Sequence, residues 1–384
     1  MMTVAAYHCP ACGRNLAADR PRWRCDCGDP LELAPGPGLS RGDIAAGEPS
    51  LWRYAAALPL AASPRVTLGE GWTPLVGRDW LGASVFFKLE SQMPTGSFKD
   101  RGTAVLINHL LEVGVGPIHE DSSGNAGSSI ATYAAAGGIP CRIYVPASAP
   151  RAKLVQIAAA GAELRPVSGT RQAVTEAALA AANESFYASH NWHPYFIEGT
   201  QTLAFELWEQ LGFRLPDNIL VPTGYGSNIL GLERGVDALE RAGEIAVRPR
   251  LFAVQAANCA AFAAAWAADA DGFVPFTASP TLADGIATMR PVRPARVLRA
   301  LRRSRGGVVA VGEGEIAPAL LALGRLGLFV EPTAATAGAA LTRLLGDGTI
   351  ARGETTVAVL TGSGLKAAER IGELLAAAGT TAIN

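Results

Sequence analysis

The sequence predicts an α/β protein: two open, twisted, largely parallel sheets with helices on their faces, preceded by a short cysteine-rich appendage. Three observations predict it. Apolar runs of strand length alternate with helical periods along most of the chain. The 384 residues exceed what one simple core serves, so two domains are expected. Four of the six cysteines crowd into the first 27 residues, away from the rest of the pattern.

Residues 1–35 form the appendage. Cys9 and Cys12 make a C-x2-C pair, and Gly13 permits the backbone bend after it. After twelve intervening residues, Cys25 and Cys27 make a tighter C-x-C pair. A disulfide framework would not gather at one end of a long alanine-rich chain, so a metal clip is expected. Zinc suits four thiolates, and such a site is structural, with no open position for water. The competing reading is a loop of the same shape that holds no metal. A Pro/Gly linker, APGPGLSRGD, follows.

The body then alternates. VFFKLE reads as a strand and RGTAVLINHLLEVG as a helix ending at Gly114. GSSIATYAAAGG is a small-residue helix, CRIYVP a strand, AKLVQIAAAGA a helix and AELRPV a short strand. LAFELWEQLG is an amphipathic helix. DNILVP, RLFAVQ, GVVAV and TTVAVL are strands, each except GVVAV followed by a turn and a helix. The expected division is a smaller domain over 95–205, inserted into a larger one over 36–94 and 206–384.

Composition excludes several classes. Apolar residues make up 49% and the formal net charge is −1, which suits neither a nucleic-acid binder nor a polybasic membrane protein. The uncharged run Leu251 to Ala268 carries Gln255 and Asn258 and reads as core. Met1 to Ala6 lacks a basic start, so no signal peptide is expected and the chain reads as cytoplasmic. Only Lys88, Lys99, Lys153 and Lys366 are lysines among 33 basic residues. Arginine supplies charge everywhere else. A retained lysine is therefore a candidate for chemistry that needs an amine, because arginine cannot shed its proton to become a nucleophile.

Three strings carry that chemistry. In PTGSFKDRG a turn delivers Lys99 to the start of a helix, where the positive terminus lowers an amine's pKa. In EDSSGNAGSS, Asn125 sits at a strand-to-helix turn. Its amide can donate to a phenolate oxygen, and backbone N–H groups around Ser123, Gly124 and Ala126 can hold a carboxylate. In ILVPTGYGSNILG a strand runs into Gly224, Gly226, Ser227 and Asn228 before a helix, a cradle for a small monophosphate. A second such turn spans Thr361 to Gly364. Taken singly, each string is matched by a bland alternative: a capped helix, an Asn/Gly turn, a tight βα connection.

GEGWTPL, PTGSFKDRG, SSGNAG, VPTGYGSN, TLADGIA, EPTAATA and TGSGLKA occur in that order from Gly69 to Ala367. In this the chain resembles the threonine synthase branch of the fold-type II pyridoxal phosphate (PLP) enzymes, relatives of the tryptophan synthase β subunit. The resemblance implies two α/β domains with the cofactor between them. It implies Lys99 as the Schiff-base lysine and Asn125 as partner of the cofactor's ring oxygen. Gly224, Gly226, Ser227 and Asn228 would take the phosphate. Thr361, with Ser363 as the neighbouring alternative, would face the pyridine nitrogen, where a hydroxyl makes a weaker electron sink than a carboxylate does. Similar four-cysteine segments precede several such chains.

Two departures fall on the substrate side. In NWHPYFIEGTQT, the arginine that helps hold substrate phosphate in this branch is replaced by Phe196, and the usual lysine by Gln201. Arg151 and Lys153 are the nearest substitute cations by sequence. The threonine usual after the SGN asparagine is Ala126. Three activities stay open: threonine synthase; a β-eliminating or β-replacing relative, either a threonine or serine dehydratase or a sulfur-adding enzyme using O-phosphoserine or O-acetylserine; and a PLP-binding protein without catalysis. The expected partners are a small amino-acid substrate and a second copy of the chain in a homodimer.

Overall fold

The computed structural model describes residues 6–18 and 20–377. Residues 1–5, where the sequence predicts no signal peptide, lie outside the described residues. Strands, numbered along the chain, are β1 Ala6–His8, β2 Asn15–Ala17, β3 Glu32–Leu33, β4 Leu75–Trp80, β5 Ala83–Lys88, β6 Ile118–Glu120 and β7 Cys141–Pro146. They continue with β8 Glu163–Val167, β9 Phe186–Tyr187, β10 Asn218–Pro222, β11 Arg250–Ala256, β12 Gly307–Val311 and β13 Thr356–Val359. The α-helices are α1 Lys99–Glu112, α2 Asn125–Ala136, α3 Arg151–Ala159, α4 Arg171–Ala180, α5 Pro194–Thr200 and α6 Thr202–Gln210. Then follow α7 Ser227–Arg241, α8 Ala261–Ala267, α9 Pro294–Arg303, α10 Glu313–Arg325, α11 Pro332–Gly346 and α12 Ala368–Ala377.

The chain forms two compact units. The first holds Met1–Trp72, Lys99–Phe205 and Arg234–Glu244. Its main sheet is β8-β7-β6-β9, parallel throughout. The appendage adds a small antiparallel sheet, β2-β1-β3. One apolar cluster joins them, with Tyr7, Cys9, Cys25 and Leu31 packed among Leu106, Ile130 and Ile143. Residues 36–72, grouped by sequence with the larger domain, pack in this first unit. Glu70 shows why. It is fully buried, and both Trp52 Nε1 (2.6 Å) and the Tyr133 hydroxyl of α2 (2.8 Å) donate to its carboxylate.

The second unit holds Thr73–Phe98, Glu206–Glu233 and Ile245–Asn384. Its sheet runs β12-β11-β10-β13-β5-β4 and is parallel except for the antiparallel edge strand β4. The strands read as near-continuous apolar runs, as expected when both faces are covered. GVVAV corrects the sequence reading. It is β12, and helix α10 follows it directly after Gly312. The Gly312 N–H donates to Glu315 Oε2 (2.7 Å), a helix start that glycine-glutamate alternation had hidden.

Among the described residues, no helix is long and apolar enough to cross a membrane. Lys88 in the second unit is fully enclosed. Its ammonium donates to Thr73 O (2.6 Å), Glu206 Oε2 (2.7 Å) and Gln210 Oε1 (2.9 Å). A buried charge is tolerated only when paired and fully hydrogen-bonded in this way. Lys88 is thus a structural lysine. Lys88→Met removes the ammonium and leaves the Glu206 carboxylate in place, so it should cost about 3–5 kcal/mol of stability. Urea unfolding monitored at constant m-value checks this, and an unchanged midpoint would contradict the structural role.

Candidate active site

Lys99 opens α1, as its string predicts, and is half-buried. The helix start is pinned from inside: Ser129 of α2 donates to Asp100 Oδ1 (2.6 Å) and its oxygen lies 2.8 Å from the Thr103 hydroxyl. Two glycines let α5 close against α1. A Cβ on Gly102 would meet the Phe196 ring at 2.5 Å, and one on Gly199 would collide with the Arg101 carbonyl. Phe196 is fully buried as a result, its ring centroid 5.7 Å from Lys99 Nζ.

His190 meets the same ring edge-on at 5.7 Å. Its backbone N–H donates to Glu120 Oε2 (3.0 Å), and its Nδ1 lies 3.0 Å from Glu120 Oε1. Burial, aided by the Asp121 charge, pushes the Glu120 carboxyl well above the ordinary range. Burial and then the Lys99 charge hold the His190 imidazole well below its own. From the sequence, His190, like His193, flanks the substrate-side stretch and is open to the active site, against the commoner reading of a surface or core imidazole. Its one usable signal was its place four residues before Pro194, in the substrate-side stretch.

Asn125 is the first residue of α2, and Gly124 is its N-cap. Ser123, Gly124 and Asn125 are half-buried and Ala126 is buried. The Gly124 N–H is already engaged with Ser122 Oγ (3.3 Å). Gly127 is obligatory here, since a Cβ would strike the Ser122 carbonyl. Of the substitute cations, Arg151 is exposed at the start of α3 and Lys153 is half-buried. The Gln201 side chain donates to Glu198 Oε2 (2.9 Å).

The second unit presents the other strings. β10 runs into Thr223–Gly226, and Ser227 begins α7. Gly226 has φ +92, a backbone region that favours glycine. A Cβ on Gly224 would come within 2.9 Å of Thr288 Oγ1, so the turn closes tightly on the TLADGIA segment. Asn228 is buried, and neither its amide nitrogen nor its oxygen has a hydrogen-bond partner. The same is true of the Thr361 hydroxyl, just after β13, and of the Ser97 hydroxyl, which sequence reasoning left without a role. Ser363 differs: its oxygen accepts from Leu365 N (3.3 Å) and caps a short turn. Buried polar groups without partners are rare in folded proteins and call for an explanation. A bound polar ligand with acceptor and donor atoms is one, and a phosphorylated pyridine fits that donor set.

The appendage brings its four cysteines together. All four sulfurs lie within 4.8 Å of one another, with Cys9–Cys27 at 3.5 Å and Cys12–Cys25 at 3.6 Å. Tetrahedral zinc with Zn–S near 2.3 Å sets sulfurs about 3.8 Å apart, so the cluster has the right size. Gly13 (φ +72) and Gly28 (φ +98) turn the two knuckles.

A family model described as pyridoxal-phosphate dependent enzyme matches residues 66–362. The chain belongs to this family of PLP-dependent enzymes. Its curated relatives narrow the placement. The threonine synthase of Methanocaldococcus jannaschii is 32% identical over 372 residues, 93% of this chain and 92% of the relative. That of Methanosarcina acetivorans is 34% identical over 326 residues, 83% of this chain and 80% of the relative. Among solved structures, a threonine deaminase from T.th. matches with TM-score 0.64 at 26% identity, covering 76% of this chain and 92% of that one. Maize serine racemase, at TM-score 0.66 and 23% identity, covers 80% and 92% and shares the fold. This chain is a fold-type II lyase of the threonine synthase-like branch.

One buried histidine sets a pH response. His109 is stacked on Tyr195 (3.5 Å, 8°), and burial lowers its pKa to about 3. In the unfolded chain an imidazole titrates near about 6.5. Between those values the unfolded state binds more protons, so stability falls as pH drops through this window and is level above it. His109→Phe should therefore reduce, without abolishing, the loss of stability between about pH 6.5 and 4, since His190 is also held low by burial and keeps its share. Denaturant midpoints compared across that range check it.

Proposed function

We propose that this lyase converts O-phospho-L-homoserine and water to L-threonine and inorganic phosphate. The observation that carries this reading is the near end-to-end match to a curated threonine synthase, over 93% of the chain. Lys99 would hold PLP through its side-chain amine and would serve as the base that takes and returns substrate protons. Bound there, PLP supplies an electron sink that acidifies the substrate's Cα–H. The Asn125 amide orients the ring oxygen. The N–H groups around Ser123, Gly124 and Ala126 receive the substrate carboxylate.

Gly224, Gly226, Ser227 and Asn228 hold the cofactor phosphate, and the unpartnered Asn228 amide supports that assignment. The unpartnered Thr361 hydroxyl supports its place at the pyridine nitrogen, ahead of Ser363, whose hydroxyl is already a cap. Arg151 or Lys153 supplies the charge for the substrate phosphate. One structural zinc sits on Cys9, Cys12, Cys25 and Cys27. The enzyme acts in the cytoplasm as a homodimer.

A second reading rests on Phe196. A buried phenyl ring beside the Lys99 amine gives no hold to a phosphate dianion. A β-eliminating or β-replacing lyase acting on serine-type substrates would use such a pocket for a smaller or uncharged leaving group. The intact Lys99 and Asn125 count against a protein that binds PLP without catalysis.

Borohydride reduction followed by peptide mapping should place the cofactor on Lys99, and Lys99→Ala should lower turnover by about 10²–10⁴-fold. Phosphate and threonine should appear from O-phosphohomoserine at about 1 s⁻¹ or faster. Keto acid from serine or threonine, without that phosphate release, would favour the second reading. Metal analysis of enzyme purified without chelator should find one zinc per chain. Protein lacking zinc would leave the appendage as an unmetalled loop.

A further inference from the structure

The appendage touches the stretch that carries Phe196 in three places, all within the first unit. Trp23 meets Tyr187 edge-on (5.1 Å, 79°) and Trp192 likewise (5.4 Å, 86°). The Arg24 guanidinium lies over the Trp23 ring at 4.3 Å. The Tyr187 hydroxyl donates to Asp121 Oδ1 (2.9 Å), next to the Glu120 that holds His190. Second, the buried Tyr7 hydroxyl is 3.1 Å from His109 Nε2, and His109 stacks on Tyr195, the residue before Phe196. Tyr7 also meets Tyr195 edge-on at 6.3 Å.

Third, Arg234 donates to Leu33 O (3.1 Å) and Ala34 O (3.0 Å) while its Nε binds Glu198 Oε1 at 2.6 Å. Residues 187, 192, 195 and 198 are thus held on both sides of Phe196. The spacing of the aromatic anchors adds an independent point. Tyr7 lies two residues before Cys9, and Trp23 lies two residues before Cys25. Cys9 and Cys25 are the buried members of the cysteine cluster, while Cys12 and Cys27 are exposed. An ion bridging the four sulfurs would fix the backbone from which both anchors project.

We infer that Tyr7 and Trp23 are positioning residues for the substrate side of the active site, and that the four-cysteine site sets how firmly they hold it. The inference rests on the reading of residues 191–202 as substrate-facing. The appendage reaches α5 through these contacts, while its packing on α1 and α2 falls on their middle turns, at Leu106, His109 and Ile130, away from Lys99 and Asn125 at the helix starts. Ordering those side chains before substrate arrives lowers the entropy that binding must otherwise supply.

The test uses the full-length holoenzyme in four forms: zinc-loaded wild type, Cys12→Ser/Cys27→Ser, Trp23→Ala and Trp23→Phe. Three measurements are made on each: PLP absorbance, steady-state KM and kcat for O-phosphohomoserine, and amide hydrogen exchange over residues 187–201. The cysteine variant and Trp23→Ala should keep PLP absorbance. Their KM should rise about three- to tenfold, the range for loss of edge-to-face ring pairs, with kcat changed less. Exchange should quicken over 187–201 and stay slow in α2. Trp23→Phe, which retains an aromatic edge, should recover most of both effects. Unchanged KM and unchanged exchange in the two damaged variants would overturn the inference. So would exchange that quickens equally throughout the unit, because that is general loosening. The exchange comparison needs no substrate. If the wild type fails to release phosphate, the substrate reading falls, and exchange alone still decides the coupling.

Discussion

The closeness of α1 and α5 is the constraint on which the first unit depends. Two helices approach this tightly only where side chains are missing from the contact, and Gly102 and Gly199 supply those gaps on opposite partners. The approach buries Phe196 and sets its ring 5.7 Å from the Lys99 amine. It also buries Arg101, whose Nη1 donates to Thr202 Oγ1 (3.0 Å) where α6 begins. A side chain at either glycine would push α5 outward. His190, Trp192 and Tyr195 would move with it, since they lie within or just before that helix.

The second unit carries a different kind of cost. Leaving a buried polar group unsatisfied costs about 1–3 kcal/mol. Ser97, Asn228 and Thr361 are three such residues, gathered at the ends of apolar strands and at a helix start. A ligand that satisfies them stabilises the folded chain by mass action and makes its stability depend on ligand concentration.

Much of this was legible in the sequence, and the reasons are local. Lys99 stands out because lysine is scarce and because a turn and a helix start flank it. The four cysteines stand out by spacing. The parallel strands β10 to β13 are near-continuous apolar runs of strand length, while the edge strand β4, with Arg78 and Asp79 exposed, gives no such signal. What escaped was non-local. The partners of His190 are Glu120, seventy residues away, and the ring of Phe196. The sequence groups residues 36–72 with the larger domain, whereas the burial of Glu70 against Tyr133 and the packing of Leu51, Trp52 and Val66 with Ile130 tie them to α2. The helix after GVVAV was hidden because Gly312, Gly314 and Pro318 lower its apparent propensity. A glycine cap and a buried apolar face decide the matter instead.

The scarcity of lysine has a chemical consequence beyond the site. Among the described residues, Lys88 is enclosed, Lys99, Lys153 and Lys366 are half-buried, and none is fully exposed. The outward-facing positive charge is therefore guanidinium, which does not condense with carbonyl compounds under mild conditions as an amine does. Reactive aldehydes normally decorate protein surfaces at random. On this chain such a reagent meets few primary amines, so the imine it forms reports on a very small set of positions.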